Sequence, residues 1–140
     1  MEARLTLEIP NSQEGIRGVA DNFDKFAAAN AIPEAATWPV QVALDELLSN
    51  TVRCGHRERA DDRLIEVRFH LLDGVLEVAV VDDAAPFNPL EVPEPDTTGT
   101  LEEREIGGLG VHIVKKLMDA VEYERKDGRN CLRFRKRIGA

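Results

Sequence analysis

Apolar and polar residues alternate over positions 4–9, with Leu5, Leu7 and Ile9 on one side and Arg4, Thr6 and Glu8 on the other. That period of two predicts a half-buried strand, which Pro10 ends. The period then lengthens. Ile16, Val19, Phe23, Phe26 and Ala27 recur at helical spacing and predict an amphipathic helix, capped by Asn11 or Ser12, carrying Glu14 in its first turn and ending near Asn30. A second helix is predicted from Pro33 in a first-turn position through Val42, Ala43, Leu44, Leu47, Leu48 and Thr51, stopping at Gly55. Trp38 and the phenylalanines are expected in the core.

Residues 64–72 and 75–81 read as two strands separated by Asp73-Gly74, a pair suited to the positive φ angles of a tight hairpin turn. A second hairpin, 121–125 with 131–138, surrounds Asp127-Gly128. Val111, Val114, Leu117 and Met118 give a third helical stripe. Between the hairpins, over 84–106, periodicity disappears, and Pro86, Pro89, Pro93 and Pro95 with Thr97, Thr98 and Gly99 disfavour helix or central strand. A loop of that length inside a compact domain is commonly functional. The order predicts an α+β two-layer sandwich, with helices packed on one face of a mixed, mostly antiparallel sheet. Arg133, Arg135, Lys136 and Arg137 are expected to dress the last strand, as charge that blunts the sheet against aggregation if that strand is an edge.

With 140 residues the chain fits one domain, 1–140, able to bury its own core. Its net charge of -8 argues against direct binding of nucleic acid or an anionic membrane. The N-terminus moves straight into the alternating segment, with no apolar run of signal or membrane-span length, so a cytoplasmic protein is expected. Cys54 and Cys131 stand far apart without metal-ligand spacing and predict two free thiols. His56, His70 and His112 form no ligand set.

Three segments can carry chemistry. Glu46 and Asn50, four apart on the second helix, emerge one turn from each other on one face, beside the apolar stripe. A carboxylate there suits a general base, and an amide oxygen suits a magnesium ion that keeps its waters and binds phosphates. Asp82 closes a buried strand and offers an acceptor to an exocyclic amine such as adenine's. Gly107, Gly108, Leu109 and Gly110 run directly into a helix, where backbone amides and the positive dipole end favour an anion. Singly, each has a plainer reading as a solvated pair, a strand terminus or a hinge. There is no glycine-lysine-serine/threonine ending of a P-loop.

In order and spacing the three segments resemble the N box and two glycine boxes of the Bergerat ATP-binding fold, and most closely the anti-sigma factor serine kinases. The similarity extends over nearly the whole chain. It is carried by residues 43–50 (ALDELLSN) with Gly55, by 82–89 ending in Pro86-Phe87-Asn88-Pro89, and by 107–119 (GGLGVHIVKKLMD). The resemblance implies Glu46 as catalytic base and Asn50 as ligand of Mg2+. It also implies Asp82 as adenine contact, with position 84 beside the base, and Gly107, Gly108, Leu109 and Gly110 on the phosphate side of ATP. Residues 88–106 would form the ATP lid, and Arg104 would reach the terminal phosphate. One departure stands out: the family usually has glycine two residues after the adenine-binding Asp, where this chain has Ala84. A methyl group there is expected to weaken nucleotide binding.

The function so implied is an ATP-dependent serine/threonine-protein kinase that phosphorylates an anti-anti-sigma factor, with a sigma factor as a further partner and a homodimer as the assembly common in the family. The alternative is a non-catalytic, nucleotide-gated module that sequesters a sigma factor or other regulator. A sensor histidine kinase ranks last, because no histidine lies in a phospho-accepting helical hairpin.

Overall fold

A computed structural model of the chain describes residues 2–52, 64–83, 88, 90 and 108–138. In chain order the elements are β1 (Glu2–Pro10), α1 (Gln13–Ala29), α2 (Glu34–Asn50), β2 (Leu64–Leu72), β3 (Val75–Asp82), α3 (Gly108–Leu117), β4 (Ala120–Lys126) and β5 (Arg129–Arg137). The strands form one sheet in the order β1-β2-β3-β5-β4. The expected two-layer α+β sandwich is the observed one. Every strand pairing among the described residues is antiparallel, so the sheet shows no mixed component there.

Both Asp-Gly pairs do what their chemistry allows. Asp73 and Gly74 take φ of 51° and 79°, Asp127 and Gly128 take 53° and 76°, and positive φ at both central residues gives the hairpin twist that matches the strands. Alternation then sorts the sheet's two faces. Val67, Phe69, Val78, Val80, Leu132 and Phe134 are buried on one side; Arg68, His70, Glu77 and Arg133 stay at least partly exposed on the other.

Helix α1 begins at Ser12, whose Oγ accepts a hydrogen bond from the Gly15 N–H at 3.2 Å, one of the four donors that a helix start leaves unpaired. Its stripe of Ile16, Val19, Phe23, Phe26 and Ala27 is buried, and Phe23 stacks on Phe69 of β2 with ring centroids 5.2 Å apart. Helix α2 starts at Glu34, so Pro33 occupies the cap rather than the first turn. Its buried positions are Ala36, Pro39, Val40, Ala43, Leu44, Leu47, Leu48 and Asn50.

One expectation fails for a physical reason. Trp38 is 61% exposed; at 100° per residue it points some 200° away from Ala36, off the α2 core stripe. The last strand is not an edge, since β5 lies between β3 and β4, and its arginines take another part. Arg135 spans Glu77 on β3 at 2.8 Å and Glu122 on β4 at 2.6 Å, while Arg133 meets Glu124 at 2.9 Å. These are cross-strand ion pairs on the uncovered face. They hold both guanidinium groups above the ordinary arginine value, chiefly through the hydrogen bonds that Arg133 donates to Glu124 and Arg135 donates to Glu77. The expected helix stop at Gly55 lies outside the described residues, as do Cys54 and His56; Cys131 is a free thiol.

Candidate functional site

Asp82 is the last residue of β3 and stands opposite Asn130 of β5. The side is the helix-covered one, and both are nearly buried, at 6% and 5% exposure. A carboxylate so removed from water needs donors. Asn130 supplies one, its Nδ2 lying 3.0 Å from Asp82 Oδ1, and the Tyr123 hydroxyl donates in turn to Asn130 Oδ1. The amide's orientation follows from chemistry: a carboxylate only accepts, so the NH2 must face it and the amide oxygen is left for the tyrosine. Tyr123 pairs with Leu132, two residues along β5 from Asn130, which makes the contact a diagonal one on a single face.

Asn130 and Tyr123 were not among the residues singled out from sequence. The signal was present in weak form. Positions 130, 132 and 134 share one face of β5, and Asn130 is the polar member of a set completed by Leu132 and Phe134. A strand taken to begin at Cys131 leaves it out.

The other half of the site is made by two helices. Asn50, at the end of α2, is buried to 3% exposure, and Glu46, one turn earlier, is half-buried. Helix α3 opens with Gly108, Leu109 and Gly110. A methyl group built on Gly110 would overlap the Glu46 carboxylate. The acid therefore rests on the first turn of α3, where the helix dipole favours negative charge. The expected freedom of Gly110 to approach a phosphate is thus joined by a second demand, close packing against Glu46.

The chain path brings the two halves toward one end of the sheet. The far end of α3 is fixed by Lys136 Nζ donating to the Leu117 carbonyl at 3.0 Å and by the Asp119 N–H donating to Arg135 O at 2.9 Å. Arg135 is five residues along β5 from Asn130, about 17 Å in a strand. The ten residues of α3 rise about 15 Å, back toward the rim that carries Asp82. Glu46 against Gly110 places the last turn of α2, with Asn50, beside that helix start. Lys115 Nζ also reaches the Leu90 carbonyl at 3.0 Å, tying the first part of the long loop to α3. Ala84, Arg104 and Gly107, and most of the lid segment 88–106, lie outside the described residues.

The donor set bears on a metal. Among the described residues no three His, Cys, Asp or Glu side chains cluster as a metal cage. Magnesium keeps its waters and takes one or two protein oxygens beside substrate phosphates, and an amide oxygen such as that of Asn50 is a donor of the type it takes.

The family model for the histidine kinase-like ATPase domain matches residues 9–136. The chain belongs to that family. Within the histidine kinase-like ATPases, it is 26% identical over 137 residues to the serine-protein kinase RsbW of Listeria innocua, covering 91% of this chain and 83% of that one. It is 26% identical over 127 residues to the serine/threonine-protein kinase BtrW of Bordetella bronchiseptica, covering 80% and 89%. Two solved structures share the fold. The RsbU and RsbW domains of Rv1364c from Mycobacterium tuberculosis superpose with a TM-score of 0.70 at 15% identity, over 97% of this chain and 32% of that one, so this chain spans about a third of its length. The SiaB-SiaC complex from Pseudomonas aeruginosa gives 0.60 at 15% identity, over 94% and 88%. The family expected from the three sequence segments is the one found. Among the described residues no helix is long and apolar enough to cross a membrane.

Proposed function

We propose that this histidine kinase-like ATPase domain binds magnesium-ATP and phosphorylates a serine or threonine on an anti-anti-sigma partner in the cytoplasm, with release or capture of a sigma factor as the regulatory output. The domain is 1–140, with a lid at 88–106. The observation that carries the reading is the Glu46 carboxylate seated on the first turn of α3 at Gly110, one turn from the buried amide of Asn50.

In this reading Asp82 accepts a hydrogen bond from the adenine amine, and the backbone at Gly107, Gly108, Leu109 and Gly110 with Arg104 faces the phosphates. Glu46 takes the proton of the acceptor hydroxyl as that oxygen bonds to the γ-phosphorus; the bond from the γ-phosphorus to the bridging oxygen breaks, and ADP leaves. Magnesium, held through the amide oxygen of Asn50, would neutralise phosphate charge. Relatives named as serine and serine/threonine kinases support the assignment.

A second reading has an observation of its own. Ala84 stands where the family usually carries glycine, and a methyl there weakens nucleotide affinity; a domain so altered would act as a nucleotide-gated module that sequesters a regulator without phosphorylating it. Incubation with γ-labelled ATP and a candidate anti-anti-sigma protein separates the two. Label on a serine or threonine of the partner supports the kinase, and a stable complex without label supports the module.

A further inference from the structure

We infer that Tyr123 and Asn130 are positioning residues that aim the Asp82 carboxylate, and thereby make the nucleotide site choose a 6-amino purine over a 6-oxo purine. The inference rests on the reading of Asp82 as the base contact. It goes beyond that reading by assigning the selectivity to a side-chain relay that begins on the outermost strand, β4.

The relay runs from the Tyr123 hydroxyl to Asn130 Oδ1 and from Asn130 Nδ2 to Asp82 Oδ1 at 3.0 Å. It continues the sheet face that carries the buried Val80, Leu132 and Phe134, with Asp82 at 6% and Asn130 at 5% exposure. Polar groups so placed are costly unless their partners are fixed. An asparagine amide is nearly symmetric in shape, and one half-turn exchanges its donor end for its acceptor end. Asp82, which can only accept, already selects the NH2 end; the tyrosine hydroxyl, donating to Oδ1, anchors the other end of the amide, so that donor and carboxylate are held in one plane.

A fixed carboxylate is a pure acceptor. At position 6 adenine presents an amine donor to it, whereas hypoxanthine presents a carbonyl oxygen, acceptor against acceptor; the hypoxanthine donor is the neighbouring ring N1–H, which a carboxylate fixed against position 6 does not meet. Without the Tyr123 hydroxyl that end of the amide loses an anchor, the Asn130 donor and the carboxylate it meets gain freedom to move, and the discrimination fades.

The test compares ATP with inosine triphosphate by titration calorimetry on the full chain, wild type against Tyr123→Phe. Wild type is expected to prefer ATP by roughly tenfold or more, and Tyr123→Phe to reduce that ratio at least about threefold. A role confined to stability would lower the melting temperature and leave the ratio unmoved, which overturns the inference, as does a wild type that binds both nucleotides equally. Asn130→Asp, equal in size, sets a second carboxylate beside Asp82 and is expected to abolish the preference. The apo protein gives an independent readout: the Asn130 side-chain NH2 should exchange slowly with solvent in wild type and faster in Tyr123→Phe, and equal rates would contradict the relay. Failure of wild type to bind either nucleotide sinks the underlying reading instead.

Discussion

The carboxylate of Glu46 lies against the Cα of Gly110, an acid near the end of one helix meeting the first turn of another. The contact exists because position 110 has no side chain. It couples the residue proposed to move a proton to the glycine segment proposed to face phosphates, so a change at one is felt at the other.

Gly110→Ala should therefore separate fold from function. Alanine gains about 1 kcal/mol of helix propensity over glycine, and the atoms in its way belong to the flexible end of a glutamate rather than to backbone. The melting temperature is expected to stay within a few degrees of wild type. The displaced carboxylate should lower phosphoryl transfer about a hundredfold, measured as initial rate on the partner protein; an unchanged rate would detach the contact from catalysis.

Glu46→Gln keeps the shape and removes the base. Transfer should fall by about 10²–10⁴, while ATP affinity measured by calorimetry changes little. Retained transfer would take Glu46 out of the role.

Much of this fold could be read in advance where the cause is local. The turn residues Asp73-Gly74 and Asp127-Gly128 need nothing beyond their own φ preferences, and Ser12 caps α1 through a bond to Gly15, three residues on. What was hidden depends on distant pairing. Asn130 became part of the site only because β5 returns antiparallel beside β3, putting it opposite Asp82 across 48 residues of sequence. The same insertion puts Arg133 and Arg135 on an interior strand, in ion pairs with Glu124, Glu77 and Glu122. Trp38 misled through its size: apolar volume argues for burial, but its angle on α2 sets it outside the stripe that Ala36 and Val40 define. Glu46 and Asn50 were legible as a pair because an interval of four is a property of one helix.

Gly128 gives a stability prediction free of packing. Its φ is +76°, and among the described residues no heavy atom beyond its own and those of its two chain neighbours lies within 4 Å of the position a Cβ would take. Gly128→Ala should cost about 1–2 kcal/mol from backbone strain alone, read as a lower urea midpoint. An unchanged midpoint would mean the turn relaxes to another type.

Glu2 supplies a pH dependence. The hydrogen bond with His70, then that from Arg4, holds its carboxyl below the ordinary value of 4.5. A lowered value in the folded state means a contribution fully present above 4.5 and lost as pH falls through the lowered one. The side chain is exposed and the effect is small. Urea midpoints of wild type and Glu2→Gln should differ at neutral pH and converge in acid; a difference that grows in acid would reverse the sign.

Whether this domain engages magnesium-ATP at all is decided most directly by a thermal melt of the purified chain with and without that ligand. At about 100 times the dissociation constant, bound nucleotide should add roughly 2.7 kcal/mol of stability, and the melting temperature should rise in wild type and far less in an Asp82→Ala variant. Equal melting curves for wild type with and without millimolar magnesium-ATP would contradict the account.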